Sequence, residues 1–92
     1  MNPETEHWLK LTTAVDIIGD MIAYYHGPLC EELVKANPDK SVIDELTKKV
    51  DELGQERRKC YKEGEQDEVI LKAYTIYGPF LKNLRLGPTN WK

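Results

Sequence analysis

Glu4 and His7 stand three residues apart, a spacing that puts a carboxylate and an imidazole on one helical face, as in the dinuclear metal centres of some helical bundles. A metal centre needs further ligands. Asp16 and Asp20 lie further along the same helix, His26 is too distant to close the same site, and the chain has no second Glu-x-x-His. Glu4 and Glu6 are therefore read as complements to the positive end of a helix. No metal or cofactor is expected.

Nucleophilic chemistry has little to build on. Ser41 is the sole serine, there are two histidines, and no glycine-rich phosphate loop is present. Cys30 and Cys60 fall outside any Cys-x-x-Cys spacing, so both are read as small buried hydrophobes rather than activated thiols. The expectation is a protein without catalysis.

Two charged features point to binding instead. Asp16 and Asp20, four apart on one helix, repel each other by a few tenths of a kcal/mol, so something positive is expected opposite them. The run Arg57-Arg58-Lys59, with Lys62 a turn later, would serve in an antiparallel docking of two helices, as would a partner's basic surface. The C-terminal third is the more suggestive stretch. From Val69 to Lys92 there are four bases and no acid, and Lys72, Lys82 and Arg85 interleave with Tyr74, Tyr77, Phe80 and Trp91. Such residues bind phosphates and stack on bases, but they are also enriched at protein interfaces. Tyr74 and Tyr77 fit the core stripe of their helix, which leaves Phe80, Lys82, Arg85 and Trp91 as the expected contact set.

The elements that must hold these residues are all helical. Pro3 suits a first turn, and the apolar positions Trp8, Leu11, Val15, Ile18, Ile22 and Tyr25 form one stripe, with Ala14, Ile17, Met21 and Tyr24 beside it. This first helix is expected over 4–26, ended by Gly27-Pro28. A short helix follows over about 29–36, closed by the turn Asn37-Pro38-Asp39. Asp39 or Ser41 then caps a charged helix to about Lys62, with a narrow seam of Ile43, Leu46, Val50, Leu53 and Cys60 interrupted by Arg57. Gly64 ends it. Residues 65–77 resume a broad apolar pattern, and Pro79 either stops that helix at Gly78 or kinks it before Phe80, Leu81 and Leu84.

Three of the five prolines follow a glycine, in Gly27-Pro28, Gly78-Pro79 and Gly87-Pro88. Glycine tolerates positive φ and proline fixes φ, so each pair reads as one helix closing and the next starting.

A chain of 92 residues forms one domain with a modest core, here expected over the whole length with a flexible tail from about 87. Its composition, 40% hydrophobic and 32% charged, argues against a disordered chain. The net charge of −3 hides an asymmetry: residues 1–46 carry nine acids and three bases, residues 47–92 seven acids and ten bases. No basic leader followed by an apolar run is present and no apolar stretch approaches a membrane span, so a cytoplasmic location is expected.

Taken together, these features predict an all-α antiparallel bundle of three long helices plus one or two short ones, the two greasy helices forming the core and the charged one an outer layer. Surplus apolar surface predicts self-association as a homodimer or larger homo-oligomer. The expected function is a small non-catalytic protein-interaction module, an inhibitor, adaptor or assembly factor that occludes a surface of a larger partner. Small acidic helical proteins of phages and mobile elements often work this way, a comparison of architecture alone. Its contact residues are expected to be Phe80, Lys82, Arg85 and Trp91, with Asp16 and Asp20 as a second, acidic surface. The alternative is a binder of nucleic acid or a small phosphorylated ligand through the same basic segment.

Overall fold

Asn2 starts the first helix: its side-chain oxygen accepts the Thr5 amide at 2.8 Å, and Pro3, Glu4 and Glu6 fill the first turn. The computed structural model describes residues 2–85, without the Arg85 side chain. Within that range α1 spans Pro3–Leu33 and α2 spans Lys40–Lys59. The third helix, α3, runs as Gln66–Lys72, passes through a π-helical turn at Ala73–Tyr77 and resumes as Gly78–Arg85. The protein is thus an all-α packing of three helices, and no strand occurs among the described residues. The extra short helices expected from the sequence are absent there.

They are absent because neither described Gly-Pro pair breaks its helix. Gly27-Pro28 lies inside α1, and of the segment expected as a separate helix over 29–36, residues 29–33 are the end of α1 and 34–36 the turn that follows. Proline at 28 removes the amide that would bond the Tyr24 carbonyl. Tyr24 and Pro28 are both exposed, where water can replace the lost bond at low cost. Gly78-Pro79 is carried differently. The amide of Gly78 bonds the carbonyl of Ala73, five residues back, and this wider turn takes up the crowding that Pro79 brings to the one before it. The third pair, Gly87-Pro88, lies outside the described residues, as does the tail expected from 87.

The π turn also sets which side chains of α3 face inward. In a regular α-helix, positions four apart drift by about 40° per step, so Val69, Ala73, Tyr77 and Leu81 would wind off one face. The wider turn cancels that drift. Val69 and Ala73 are buried and Tyr77 and Leu81 pack against the core. Tyr74, expected on the core stripe, is exposed instead, as is Ile76.

Gly78 is fixed by this arrangement, since a Cβ there would lie 2.9 Å from the Ala73 carbonyl oxygen and 3.7 Å from Ile17 Cδ1. Gly78→Ala is expected to lower stability by about 1–2 kcal/mol through overpacking against backbone. The urea midpoint by circular dichroism reads it directly.

The connections are short and capped. Asp39 accepts the Ser41 and Val42 amides at the start of α2. Its own amide donates to Glu32 at 2.8 Å, and Lys35 donates to the same carboxylate at 2.8 Å. These bonds hold the Glu32 carboxyl below its ordinary range, the Lys35 hydrogen bond contributing most. At the other end of α2, Arg57, Arg58 and Lys59 complement the negative helix terminus. Gly64, with φ at +84°, makes the left-handed step that turns the chain toward α3.

With two short turns the helices run up, down and up, so α1 and α3 are parallel to each other and antiparallel to α2. His7 meets Gln66, Ile17 approaches Gly78 and Tyr24 meets Phe80, so α3 lies along one stripe of α1 in register. The other stripe receives α2, whose Leu46 and Leu53 share clefts with Tyr25. The charged helix is therefore no outer layer: its packing on α1 is the most extensive among the described residues, and it supplies Leu53, and its cap Cys60, to the core. Only Ala14, Ile18, Met21, Leu53, Cys60, Val69 and Ala73 are buried apolar residues among those described. The molecule measures 54 × 32 × 16 Å, and so flat a body has little interior.

Candidate functional site

Where the three helices converge, an open cleft of about 310 Å³ is lined by Met21, Tyr25, Leu53, Glu56, Lys59 and Tyr77, among others. Glu56 is its central charge and is buried, although sequence periodicity assigned the seam to its neighbours. Its Oε1 accepts a short hydrogen bond from Lys72 of α3, and its Oε2 faces Lys59 Nζ at 3.5 Å, the outer limit of a hydrogen bond. Lys72 also reaches Glu68 at 3.5 Å. Burial alone would push the Glu56 carboxyl up, but the Lys72 hydrogen bond and the two ammonium charges outweigh it and hold the group below its ordinary value. The carboxylate stays ionised at neutral pH, acts as an acceptor only, and cannot serve as a general acid there. Burial, together with the Glu56 charge, raises the pKa of the Tyr77 hydroxyl and of the Cys60 thiol, which keeps both protonated. The cleft thus holds an ion-pair network in which Lys72 of α3 meets Glu56 of α2.

Of the Glu4 and His7 pair, His7 is the one that meets another helix. Gln66 donates its amide to the Cys60 carbonyl at 2.9 Å, so its oxygen accepts from His7 Nε2–H at 3.0 Å. His7 Nδ1 lies 3.9 Å from Asp67. One glutamine thus ties the start of α1, the end of α2 and the start of α3. Among the described residues no group of three or more His, Cys, Asp or Glu side chains is placed to hold a metal within one chain.

Of the residues singled out for partner binding, Asp16 and Asp20 are exposed on α1, and Lys82 is exposed on α3. Asp16 makes no ion pair with the Arg57-Arg58-Lys59 run, whose Lys59 pairs with Glu56 on its own helix. Phe80 sits at a boundary, one edge against Tyr24 with ring centroids 5.5 Å apart and 36% of the residue exposed. The backbone of Arg85 ends α3, and Trp91 lies outside the described residues. What the sequence did not single out is an apolar surface earlier on α3. Leu71 is 62% exposed and Tyr74 45%; with Ile70, Lys10 and Asp67 they line a shallow groove of about 440 Å³ between α1 and α3.

Cys30 also departs from expectation. It is exposed near the end of α1, with its Sγ 3.5 Å from His26 Nδ1, so it is neither buried nor without a neighbouring imidazole. A four-residue spacing on one helix was the available signal.

The fold and its surface define a three-helix all-α protein with an exposed apolar groove. No protein-family model, curated protein or solved structure matches the chain. None of its helices, among the described residues, is long and apolar enough to cross a membrane.

Proposed function

We propose that this chain is a small non-catalytic protein-interaction module that binds and occludes a surface of a larger partner, and that it self-associates. The observation that carries this reading is the exposed apolar surface of α3, where Leu71, Tyr74 and Ile76 are each 45% or more exposed beside a core of very few residues. Side chains of this size on one short helix are spent on solvent unless another protein covers them. Phe80 and Lys82, also exposed on α3, belong to the proposed contact set, together with Arg85 and Trp91. The acidic pair Asp16 and Asp20 offers a second contact on α1.

Affinity capture from the native host's extract, at low and high salt, tests the reading with the wild-type chain beside Leu71→Asp. The expected result is one stoichiometric protein that survives high salt on the wild type and falls at least tenfold on the variant. A charge placed in a desolvated contact is costly, while at an exposed position it leaves the fold intact. Recovery only of nucleic acid that disappears with salt would favour a phosphate-binding surface instead. Equal capture by both chains would remove the α3 groove from the interface.

A further inference from the structure

His26 and Cys30 lie one turn apart on the exposed side of α1, in the last two turns of a helix that ends at Leu33. Cys30 Sγ is 3.5 Å from His26 Nδ1 and 4.0 Å from Nε2. Zinc binds thiolate sulfur at about 2.3 Å and imidazole nitrogen at about 2.0–2.1 Å, and across a tetrahedral angle these bonds require about 3.5 Å between the two ligand atoms. The pair already has that separation.

The local charge favours a cation over a reactive thiolate. A nucleophilic cysteine is found beside positive charge or at a helix N-terminus. Here the helix presents its negative end, its last turn has no basic residue, and Glu31 is adjacent. Lys35, the nearest base in sequence, is held by Glu32. A sulfur and an imidazole together suit a borderline-soft ion, zinc above all.

Two ligands are half a structural zinc site, which is closed by four. The described residues of one chain offer no third ligand at this place. The surface around the pair is open to a second copy. Ala23 and Gly27 are exposed on the same side of α1 and let another helix approach closely, while Leu33 and Val34, 54% and 84% exposed, are the apolar side chains such a contact would cover. A twofold axis brings the same patch of both copies together, so each contributes one His and one Cys.

We infer that His26 and Cys30 form a zinc half-site, completed to Cys2His2 by the same two residues of a second copy of this chain. Binding releases the Cys30 thiol proton to solvent and forms one Zn–S and one Zn–N bond per chain, with no redox change. The inference rests on self-association but not on the α3 groove, and it gives that self-association a metal dependence.

The test uses the full chain, reduced and freed of metal, titrated with zinc chloride while sedimentation reports its mass and metal analysis its stoichiometry. The expected result is one zinc per two chains and conversion from monomer to dimer, reversed by EDTA. Cobalt in place of zinc should show the thiolate-to-metal charge-transfer band and the intense visible bands of a tetrahedral site. Cys30→Ser and His26→Ala should each abolish the dimer at the same zinc concentration, with helicity unchanged, since both positions are exposed. Leu71→Asp should leave it intact, which separates failure of this site from failure of the α3 surface. A chain that stays monomeric with zinc, that binds one zinc per chain, or whose Cys30→Ser variant still dimerises with zinc would overturn the inference.

Discussion

Ile18→Ala is expected to remove about 2–5 kcal/mol of stability and leave a substantial fraction of the chain unfolded at 37 °C. Ile18 is wholly buried and belongs to the one cluster that joins all three helices, with Met21, Leu53, Cys60 and Val69. Truncating it removes apolar contacts and leaves a cavity that its neighbours on three separate helices cannot jointly close. A domain of this length holds only about 5–14 kcal/mol in total. The flat shape and short roll of buried residues put this one toward the lower end. The loss is therefore a large share of the whole. Urea denaturation followed by circular dichroism gives the value, with Tyr61→Ser, at a 71% exposed position, as a control expected within about 0.5 kcal/mol of wild type. Equal midpoints for Ile18→Ala and the control would mean that the three helices do not share this core.

Much of the core around Ile18 is legible in the sequence because α1 carries a periodic signal over many turns. Both of its stripes are used, one by each neighbour, with only Trp8 and Tyr24 largely exposed at the edges. Turn chemistry is equally local and equally readable: Asp39 caps α2, and Gly64 supplies the positive φ that follows it. The Gly-Pro pairs mislead because the helix-breaking tendency of proline is a local preference, while helix continuation is decided by packing on the far side of the turn. At Pro28 the cost is met by solvent, and at Pro79 by a wider turn that no periodicity announces.

Long-range pairing is where sequence reading ends. The seam of α2 was expected to skip from Leu53 to Cys60 across Arg57, yet Arg57 is exposed and Glu56 turns inward. A glutamate at a seam position looks like an error until Lys72, sixteen residues away on α3, is placed against it. The role of α2 was underrated for the same reason, since its share of the core includes a charge. The His26–Cys30 pair is the opposite case. Its four-residue spacing is visible in the sequence, but the exposure that makes it a surface pair is not.

Glu56 and Lys72 carry the second large expected effect. Lys72→Met is expected to lower stability by about 2–3 kcal/mol, because it strips the principal partner from a buried carboxylate while leaving that carboxylate in place. The figure lies below the range for a fully buried pair because water reaches part of Lys72 and Lys59 still faces Oε2. The double variant Glu56→Met with Lys72→Met should recover most of the loss, since two apolar side chains fill the site without a charge to desolvate. That recovery would mark the pair as a device of specificity, joining α2 to α3 in one register, more than a source of net stability. The same pair sets the response to acid. The folded-state pKa of Glu56 is depressed, as is that of Glu32, so their contribution is fully present above the ordinary value of 4.5 and is lost as pH falls from there through the folded values. The wild-type chain should therefore lose stability as pH falls below the ordinary carboxylate value of 4.5. Glu56→Gln should flatten that slope while being less stable than wild type at pH 7. A slope unchanged by Glu56→Gln would show that the carboxylate titrates alike in the folded and unfolded chain, and that its ion pairs contribute nothing to holding α3 in place.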